Sequence, residues 1–292
     1  MNMGLLSFLK LKKKGSKELI MELLEGYELP SFPAAVMRVL EMLRDPDAAL
    51  ADIARLVESD PGMHVMTLKF VNSAAFGLAK KVSNIHHAVT LLGRARLESL
   101  ILPLAVKDVV PTDNLVCLDA RTFWTTNAKR ACLARAIAKR LHPATQLEAF
   151  TAGLLQDMAI PVLISAKKSD YCVALETWNS DPESDLAQIE KTTFGFDHQA
   201  VGGLMAEEWN FPGYLQEAIG QHHSLNGSGQ MNIDRAIIAV SSLRYPSGEY
   251  QDRDDEMLKT MLRDVLGVGE QVASEIVAQA ESDAHQVAEI FY

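Results

Sequence analysis

The feature that most constrains this sequence is a helical periodicity that recurs along nearly the whole chain. Apolar residues at the spacing of one helical face occur near both ends: Val36, Val39, Leu40 and Leu43, then Val272, Ile276, Ala280, Val287 and Phe291. No segment shows the alternation of a half-buried strand. The pattern therefore predicts an all-α protein built from about a dozen short helices.

Turn and capping residues predict how these helices are divided. Pro33 and the pair Asp60-Pro61 mark helix starts, because aspartate caps a helix and proline lacks only an N–H that the first turn does not use. A seam over residues 109–119 separates two helical halves. We predict four regions: a basic tail over 1–17, a first half over 18–115, a second half over 116–245, and C-terminal helices over 246–292 packed on the domain.

The distribution of charge excludes a general nucleic-acid binder. The formal net charge is -10, although the first 17 residues contain five lysines and no acid, so the rest of the chain is more acidic still. An acidic surface repels phosphate backbones. The lysine-rich start predicts a frayed tail, with weak contact to an anionic membrane surface as the alternative. No apolar run approaches the length of a transmembrane helix, so we expect no stable membrane insertion.

The cysteines bear on the cellular compartment. Cys117, Cys132 and Cys172 are odd in number, far apart in sequence and without a CxxC pair. This usage favours a reducing compartment, the cytoplasm, and argues against a disulfide framework or a zinc knuckle. Cys132 lies among alanines and aliphatic residues, which predicts a buried, inert thiol.

Four polar residues of the second half fall on helical faces that are otherwise apolar. Asp157 lies seven residues after Phe150 on one stripe, His198 shares a face with apolar neighbours, and His222 and His223 sit at the edges of another. Carboxylate and imidazole groups from separate helices suit a divalent ion that activates water for phosphoester hydrolysis. Alternatively, these side chains satisfy each other by charge-assisted hydrogen bonds inside the core. Spacing alone leaves both hypotheses open.

Two long stretches carry motifs that resemble a known family. LPxxP, DP and NSAxFG follow in order within residues 29–77, and VSNIHHAVTLLGRARLESLIL follows at 82–102. Residues 123–141 and the segment AFTAGLLQDMAIPVL at 149–163 continue the match. Over most of residues 20–245 the chain resembles the HDOD domain. The resemblance implies an HD-domain-like multi-helix bundle in two packed halves, a non-catalytic relative of the HD phosphohydrolases found in bacterial signalling proteins.

The resemblance also implies where the metal ligands of HD phosphohydrolases would fall. Their early histidine, the histidine of their His-Asp pair and their closing aspartate fall on Thr126, Gln156 and Ser242. Only Asp157 keeps the ligand type. Additional histidines of some metal-binding relatives fall on three positions: His198, His222 and His223. An amide and two hydroxyls bring too little charge to strip water from a divalent ion, so the resemblance implies a site without metal and without catalysis.

These observations lead to one expected function and two alternatives. We expect a non-enzymatic regulatory protein of the bacterial cytoplasm that binds other signalling proteins and no cofactor, with a homodimer as one oligomeric state to test. The first alternative is a divergent metal-dependent phosphohydrolase that uses Asp157, His198, His222 and His223 with a divalent metal ion. The second is a sensor that binds a small molecule in the degenerate pocket.

Overall fold

A computed structural model describes residues 15–73, 80–113, 115–181, 183–223, 233–241, 243–245 and 251–291. These residues form helices joined by short connections and include no β-strand, which confirms the all-α prediction. Most of the predicted basic tail and the residue Ser242 lie outside the described part of the chain. The predicted region boundaries stay predictions.

The first half is organised around one long helix. Its five helices are α1 Ser16–Leu23, α2 Ala34–Arg44, α3 Leu50–Ser59, α4 Pro61–Val71 and α5 Ile85–Val109. Helices α2, α3 and α4 all pack on α5, whose inner face buries side chains such as Leu97 and Leu100. The Asp60 side chain accepts a hydrogen bond from the Met63 amide at 2.9 Å, so the predicted start of α4 is confirmed.

A glycine turns the long helix α5 toward α2. Gly93 has a φ of 69°, in the left-handed region that favours glycine, and it interrupts the helical backbone. The next residue, Arg94, donates to the carbonyl oxygens of Met42 at 2.8 Å and Asp45 at 2.6 Å. Its guanidinium therefore satisfies carbonyl groups that the end of α2 leaves without intrahelical partners.

The second half surrounds a central helix in the same way. Its described helices are α6 Ala120–Leu141, α7 Gln146–Leu155, α8 Ala159–Lys167, α9 Ser169–Ser180, α10 Leu186–Phe194, α11 His198–Glu208, α12 Gly213–Gly220 and α13 Asp234–Ser241. The C-terminal region adds α14 Gln251–Leu266 and α15 Glu270–Ala288. Helices α7, α13 and α15 pack on α6, which is buried along most of its length. The two halves meet where α5 packs on α7, and the Thr151 hydroxyl donates to the Ser99 carbonyl at 2.9 Å.

The two ends of the described chain both contact the second half. Lys129 on α6 pairs with Glu281 on α15 at 2.7 Å, and the Trp124 ring stacks on Phe291 with centroids 4.6 Å apart. Helix α1 packs on α11, and the Ser16 hydroxyl donates to the Glu208 carboxylate at 3.0 Å. The first described helix thus lies against the half that is farther along in sequence.

One segment is more apolar than the sequence analysis recognised. Residues Pro143–Lys167, which include α7 and α8, are long and apolar enough to span a membrane. However, 89% of the most apolar window is buried inside the protein. A segment that packs on several neighbouring helices is apolar all round because it lies in the core. The expectation that no apolar run reaches this length was wrong, and this segment is a core helix pair.

The prediction against a disulfide was also wrong. Cys117, in the connection before α6, forms a disulfide with Cys172 on α9, and their Cα atoms are 5.5 Å apart. Their separation of 55 residues in sequence concealed this proximity, because only the packing of the helices brings them together. The cysteine argument for a reducing compartment therefore does not hold. Cys132 is buried, as predicted, and burial raises the pKa of its thiol to about 12.

Candidate functional site

Asp157 lies at the turn between α7 and α8, where only 3% of the residue is exposed. Its Oδ2 accepts from the guanidinium of Arg130 and from the hydroxyl of Tyr245, the latter at 2.7 Å. Its Oδ1 lies 3.3 Å from Nε2 of His222 and 3.7 Å from Nε2 of His198. The predicted contact between Asp157 and histidines of the second half is present.

His198 is the centre of the histidine group. It is the first residue of α11, whose N-terminus is capped by the Asp197 side chain through the Ala200 amide at 2.8 Å. Its Nε2 lies 3.0 Å from Nε2 of His222 and 3.0 Å from Nε2 of His223. The structure therefore brings the three histidines together with Asp157, although they come from different segments.

A close approach of two helices makes this meeting possible. His222 follows the end of α12, which packs on α11. A Cβ placed on Gly202 would lie 2.9 Å from Cγ2 of Ile219, a distance that real Cβ contacts essentially never show. The absence of a side chain at Gly202 thus lets α11 and α12 come near enough to join the imidazoles of His198 and His222.

The outer nitrogens of two imidazoles are held by hydrogen bonds. Nδ1 of His198 donates to the Glu190 carboxylate at 2.6 Å, and the His198 amide donates to the same oxygen at 2.8 Å. Nδ1 of His222 donates to the Ile219 carbonyl at 2.7 Å. The Tyr171 hydroxyl donates to the other Glu190 oxygen. Both rings are therefore fixed with Nε2 pointing inward.

The charges of the cluster follow from burial and neighbouring groups. Burial alone would raise the pKa of Asp157, but the guanidinium and imidazoles beside it hold that pKa well below the usual range. Burial would lower the pKa of His198, yet the Glu190 and Asp157 carboxylates raise it to about 9. Burial and the neighbouring imidazoles lower the pKa of His222, and lower that of His223 to about 2. One protonated imidazole thus faces two neutral ones.

Arg130 is the most important residue that the structure adds to the predicted site. It lies on α6 and is 1% exposed. Besides its ion pair with Asp157, it donates to the Leu243 carbonyl, to Asn127 Oδ1 at 2.9 Å and to the Tyr245 hydroxyl at 3.2 Å. A guanidinium keeps its positive charge at every physiological pH. The buried carboxylate of Asp157 therefore has a permanent cationic partner from within the chain.

Sequence reasoning missed Arg130 and Glu190, although a signal existed for both. Arg130 follows Phe123 by seven residues on α6, which is the same spacing that identified Asp157 as inward-facing. Glu190 follows Leu186 by four residues on α10 and is 1% exposed. Charged residues on buried stripes call for opposite charges nearby, so a search of every stripe would have found them.

Three residues fall on the ligand positions of HD phosphohydrolases without keeping the ligand type, and the structure describes two of them. Thr126 is 4% exposed and lies one helical turn before Arg130 on α6. Gln156 is fully buried, and neither its amide nitrogen nor its amide oxygen has a hydrogen-bond partner within the described residues. Ser242 is outside them. The two described positions thus lie beside the cluster without contributing a charged ligand.

The cluster nevertheless has features of a metal site. The Nε2 atoms of His198, His222 and His223 lie close enough together to share one ion. Asp157 Oδ1 is buried, has no hydrogen-bond partner within the described part of the chain, and faces two of these nitrogens. Three imidazoles and one carboxylate are a ligand set that suits zinc or a related divalent metal. The three imidazoles fit one ion by ligand type and spacing, and Asp157 lies beside two of them.

Comparisons with known proteins agree with this fold. The HDOD domain model matches residues 29–225. A curated relative from Treponema pallidum, an uncharacterized protein, is 24% identical over 227 residues. The match covers 76% of this chain but only 43% of that relative, so this chain spans less than half of its length.

Solved structures share the same architecture. An HDOD domain protein with unknown function from Geobacter sulfurreducens is 23% identical with a TM-score of 0.67, covering 94% of this chain and 97% of the other. A proposed phosphohydrolase from Shewanella amazonensis SB2B is 20% identical with a TM-score of 0.71, covering 94% and 98%. A proposed signal transduction protein from Marinobacter aquaeolei VT8 is 18% identical with a TM-score of 0.68, covering 94% and 65%. At these identities the likeness concerns the fold.

Proposed function

Because this chain belongs to the HDOD family, we propose that it is a non-catalytic signal-transduction protein that binds other regulatory proteins. The single observation that carries the proposal is the buried ion pair between Arg130 and Asp157. In a metal-dependent hydrolase this carboxylate would bind the metal ion. Here the guanidinium of Arg130 already neutralises the charge of the Asp157 carboxylate.

The charges around Asp157 are the main support for this proposal. Asp157 and Arg130 are both almost fully buried, and neither can be left unpaired without a large cost in folding free energy. A divalent cation on the same carboxylate would be repelled by the fixed charge of Arg130. Thr126 and Gln156 add no negative charge to offset this repulsion. The residues that remain therefore favour a metal-free cluster that stabilises the fold.

Metal analysis tests the proposal directly. Protein purified without chelators should contain less than about 0.1 equivalents of manganese, iron, nickel or zinc. It should not hydrolyse nucleotides, cyclic dinucleotides or generic phosphoesters above the background of an Asp157→Ala variant. Hydrolysis by the wild-type protein that requires added metal and disappears in that variant would overturn the non-catalytic proposal.

A divergent metal-dependent phosphohydrolase is the second candidate, favoured by three imidazoles that meet one another, two of which face Asp157 Oδ1. In that case His198, His222, His223 and Asp157 would hold one ion, and the ion would supply Lewis-acid chemistry for phosphoester cleavage. Glu190 would orient the His198 ring through Nδ1. Stoichiometric metal together with hydrolysis would establish this candidate, and metal without hydrolysis would indicate a structural ion.

The partner, location and oligomeric state belong to the same proposal. Affinity capture from the native cell with quantitative mass spectrometry should enrich signalling or regulatory proteins. Cell fractionation should place the chain in the cytoplasm. The periplasmic fraction is the alternative to test, because the Cys117–Cys172 disulfide suits an oxidising compartment. Light scattering after size-exclusion chromatography distinguishes a homodimer from a monomer.

A further inference from the structure

An open groove of about 800 Å³ lies in the first half of the protein, away from the Asp157 cluster. One wall is a face of α4, and the other is the segment that leads into α5. The described lining includes Val65, Leu68, Lys69 and Asn72 on the α4 side, and Lys80 and Lys81 on the other side. Neither the sequence motifs nor the buried cluster accounts for this surface.

Asn72 holds the two walls of the groove together. Its amide nitrogen donates to the Val82 carbonyl at 2.9 Å, and its side-chain oxygen accepts from the Val82 amide at 2.8 Å. The same amide nitrogen also donates to the Leu68 carbonyl of α4 at 2.7 Å. This clamp fixes the backbone next to Lys81, so the position of the second wall is defined by hydrogen bonds rather than by chance contact.

The groove combines an apolar floor with a cationic rim. Val65 is 52% exposed, Leu68 beside it is partly buried, and Val82, which is only 2% exposed, completes the floor. Lys69, Lys80 and Lys81 are exposed, and within the described residues none of them forms an ion pair. On a protein with a net charge of -10, three exposed lysines without an ion pair to any described residue form a local exception.

We propose that this groove binds a short acidic segment of a partner protein that also carries apolar side chains. Carboxylates of the segment would pair with the lysines, and its aliphatic side chains would cover Val65 and Leu68. From His64 to Asn72 the α4 wall is about 12 Å long, which corresponds to about four residues of extended peptide. The inference rests on the proposed function, because it names the surface by which the protein would bind its partner.

Two other occupants agree less well with the lining residues. A small molecule is usually enclosed by its pocket, whereas Val65 and the three lysines leave this groove open to solvent. Single-stranded nucleic acid is usually held by aromatic side chains that stack on the bases, and among the described lining residues the His64 imidazole is the only aromatic ring. A peptide requires neither enclosure nor stacking.

The test is a selection of peptides with matched charge-reversal variants. A display library of random 12-residue peptides is selected on the full-length wild-type protein. Enriched peptides are then titrated by fluorescence anisotropy against a groove variant with Lys69→Glu, Lys80→Glu and Lys81→Glu. The control variant carries Arg96→Glu, Lys139→Glu and Arg140→Glu, which are exposed positions outside the groove with the same change in charge.

We expect the enriched peptides to combine acidic and aliphatic residues, to lose at least about tenfold in affinity for the groove variant, and to bind the control variant within about twofold of wild type. Failure to enrich any peptide, or equal binding to the groove variant and wild type, overturns the inference. So does binding of a fluorescent oligothymidine that the groove variant alone loses, because the surface would then be a nucleic-acid site.

A failure of the inference is distinguishable from a failure of the proposed function. If native partners are captured equally by the wild type and the groove variant, the protein binds partners through another surface and only the groove is excluded. If the purified protein hydrolyses phosphoesters with stoichiometric metal, the proposed function fails, whereas the peptide titrations still report on the groove independently.

Discussion

The cluster around Asp157 and the groove beside α4 differ in whether their charged side chains are buried and paired. In the cluster, the carboxylates of Asp157 and Glu190 face the guanidinium of Arg130 and the protonated ring of His198, all of them buried. In the groove, the cations face solvent and have no partners within the described residues. Buried charges must be paired for the fold to be stable, whereas exposed charges remain available to a partner. We therefore expect the buried cluster to contribute to stability and the groove to bind a partner.

The largest effect is expected from the buried ion pair. Asp157→Ala leaves Arg130 buried without its carboxylate, which should lower the free energy of unfolding by about 3–5 kcal/mol. Urea unfolding followed by circular dichroism measures this loss. The control Asp108→Ala removes an exposed carboxylate and should change stability by less than about 0.5 kcal/mol. Equal stability of the two variants would mean that the cluster does not support the fold.

The disulfide should have the next largest effect. The Cys117–Cys172 bond closes a loop of about 55 residues, for which the chain-entropy model gives a stabilisation of up to about 4 kcal/mol. Cys117→Ser should therefore unfold at a lower urea concentration than wild type under oxidising conditions. Addition of reductant should remove the difference, because both proteins then lack the bond. A difference that persists in reductant would assign the effect to packing at residue 117 instead.

The contact between α11 and α12 should show an intermediate effect. Gly202→Ala places a methyl group against Ile219, and the resulting overpacking should cost about 1–3 kcal/mol. Gly213→Ala is the matched control, because a Cβ at Gly213 meets nothing within 4 Å. Comparison of the two melting curves measures the cost of a methyl group at the close contact between α11 and α12, which brings His198 next to His222. Indistinguishable melting temperatures would contradict it.

The smallest effect on stability is expected from the groove. The triple variant Lys69→Glu, Lys80→Glu and Lys81→Glu should lose less than about 1 kcal/mol, most of it from a negative charge in the last turn of α4. Urea unfolding of this variant beside Asp157→Ala tests the contrast between the two regions. If this variant lost as much free energy of unfolding as Asp157→Ala, the lysines would be structural. The distinction between the buried cluster and the groove would then not hold.

Local sequence patterns were sufficient for the helices and for the orientation of single residues. The spacing of apolar residues predicted an all-α fold, Asp60-Pro61 predicted the start of α4, and the position of Asp157 on a buried stripe predicted an inward carboxylate. These features depend on residues within one or two helical turns. The motifs of the first half also identified the family, because their order and separation are visible without a structure.

The tertiary structure decided which inward residues meet. Arg130, Asp157 and Tyr245 lie on three different segments, and only the packing of α6 against its neighbours brings their side chains into contact. The pairing of Cys117 with Cys172 was decided in the same way. Periodicity states which side of a helix is buried, but the partner across the interface depends on how distant helices cross and how closely they approach. Whether Asp157 faces a metal or a guanidinium is therefore a property of the packed helices, which no single segment of the sequence contains.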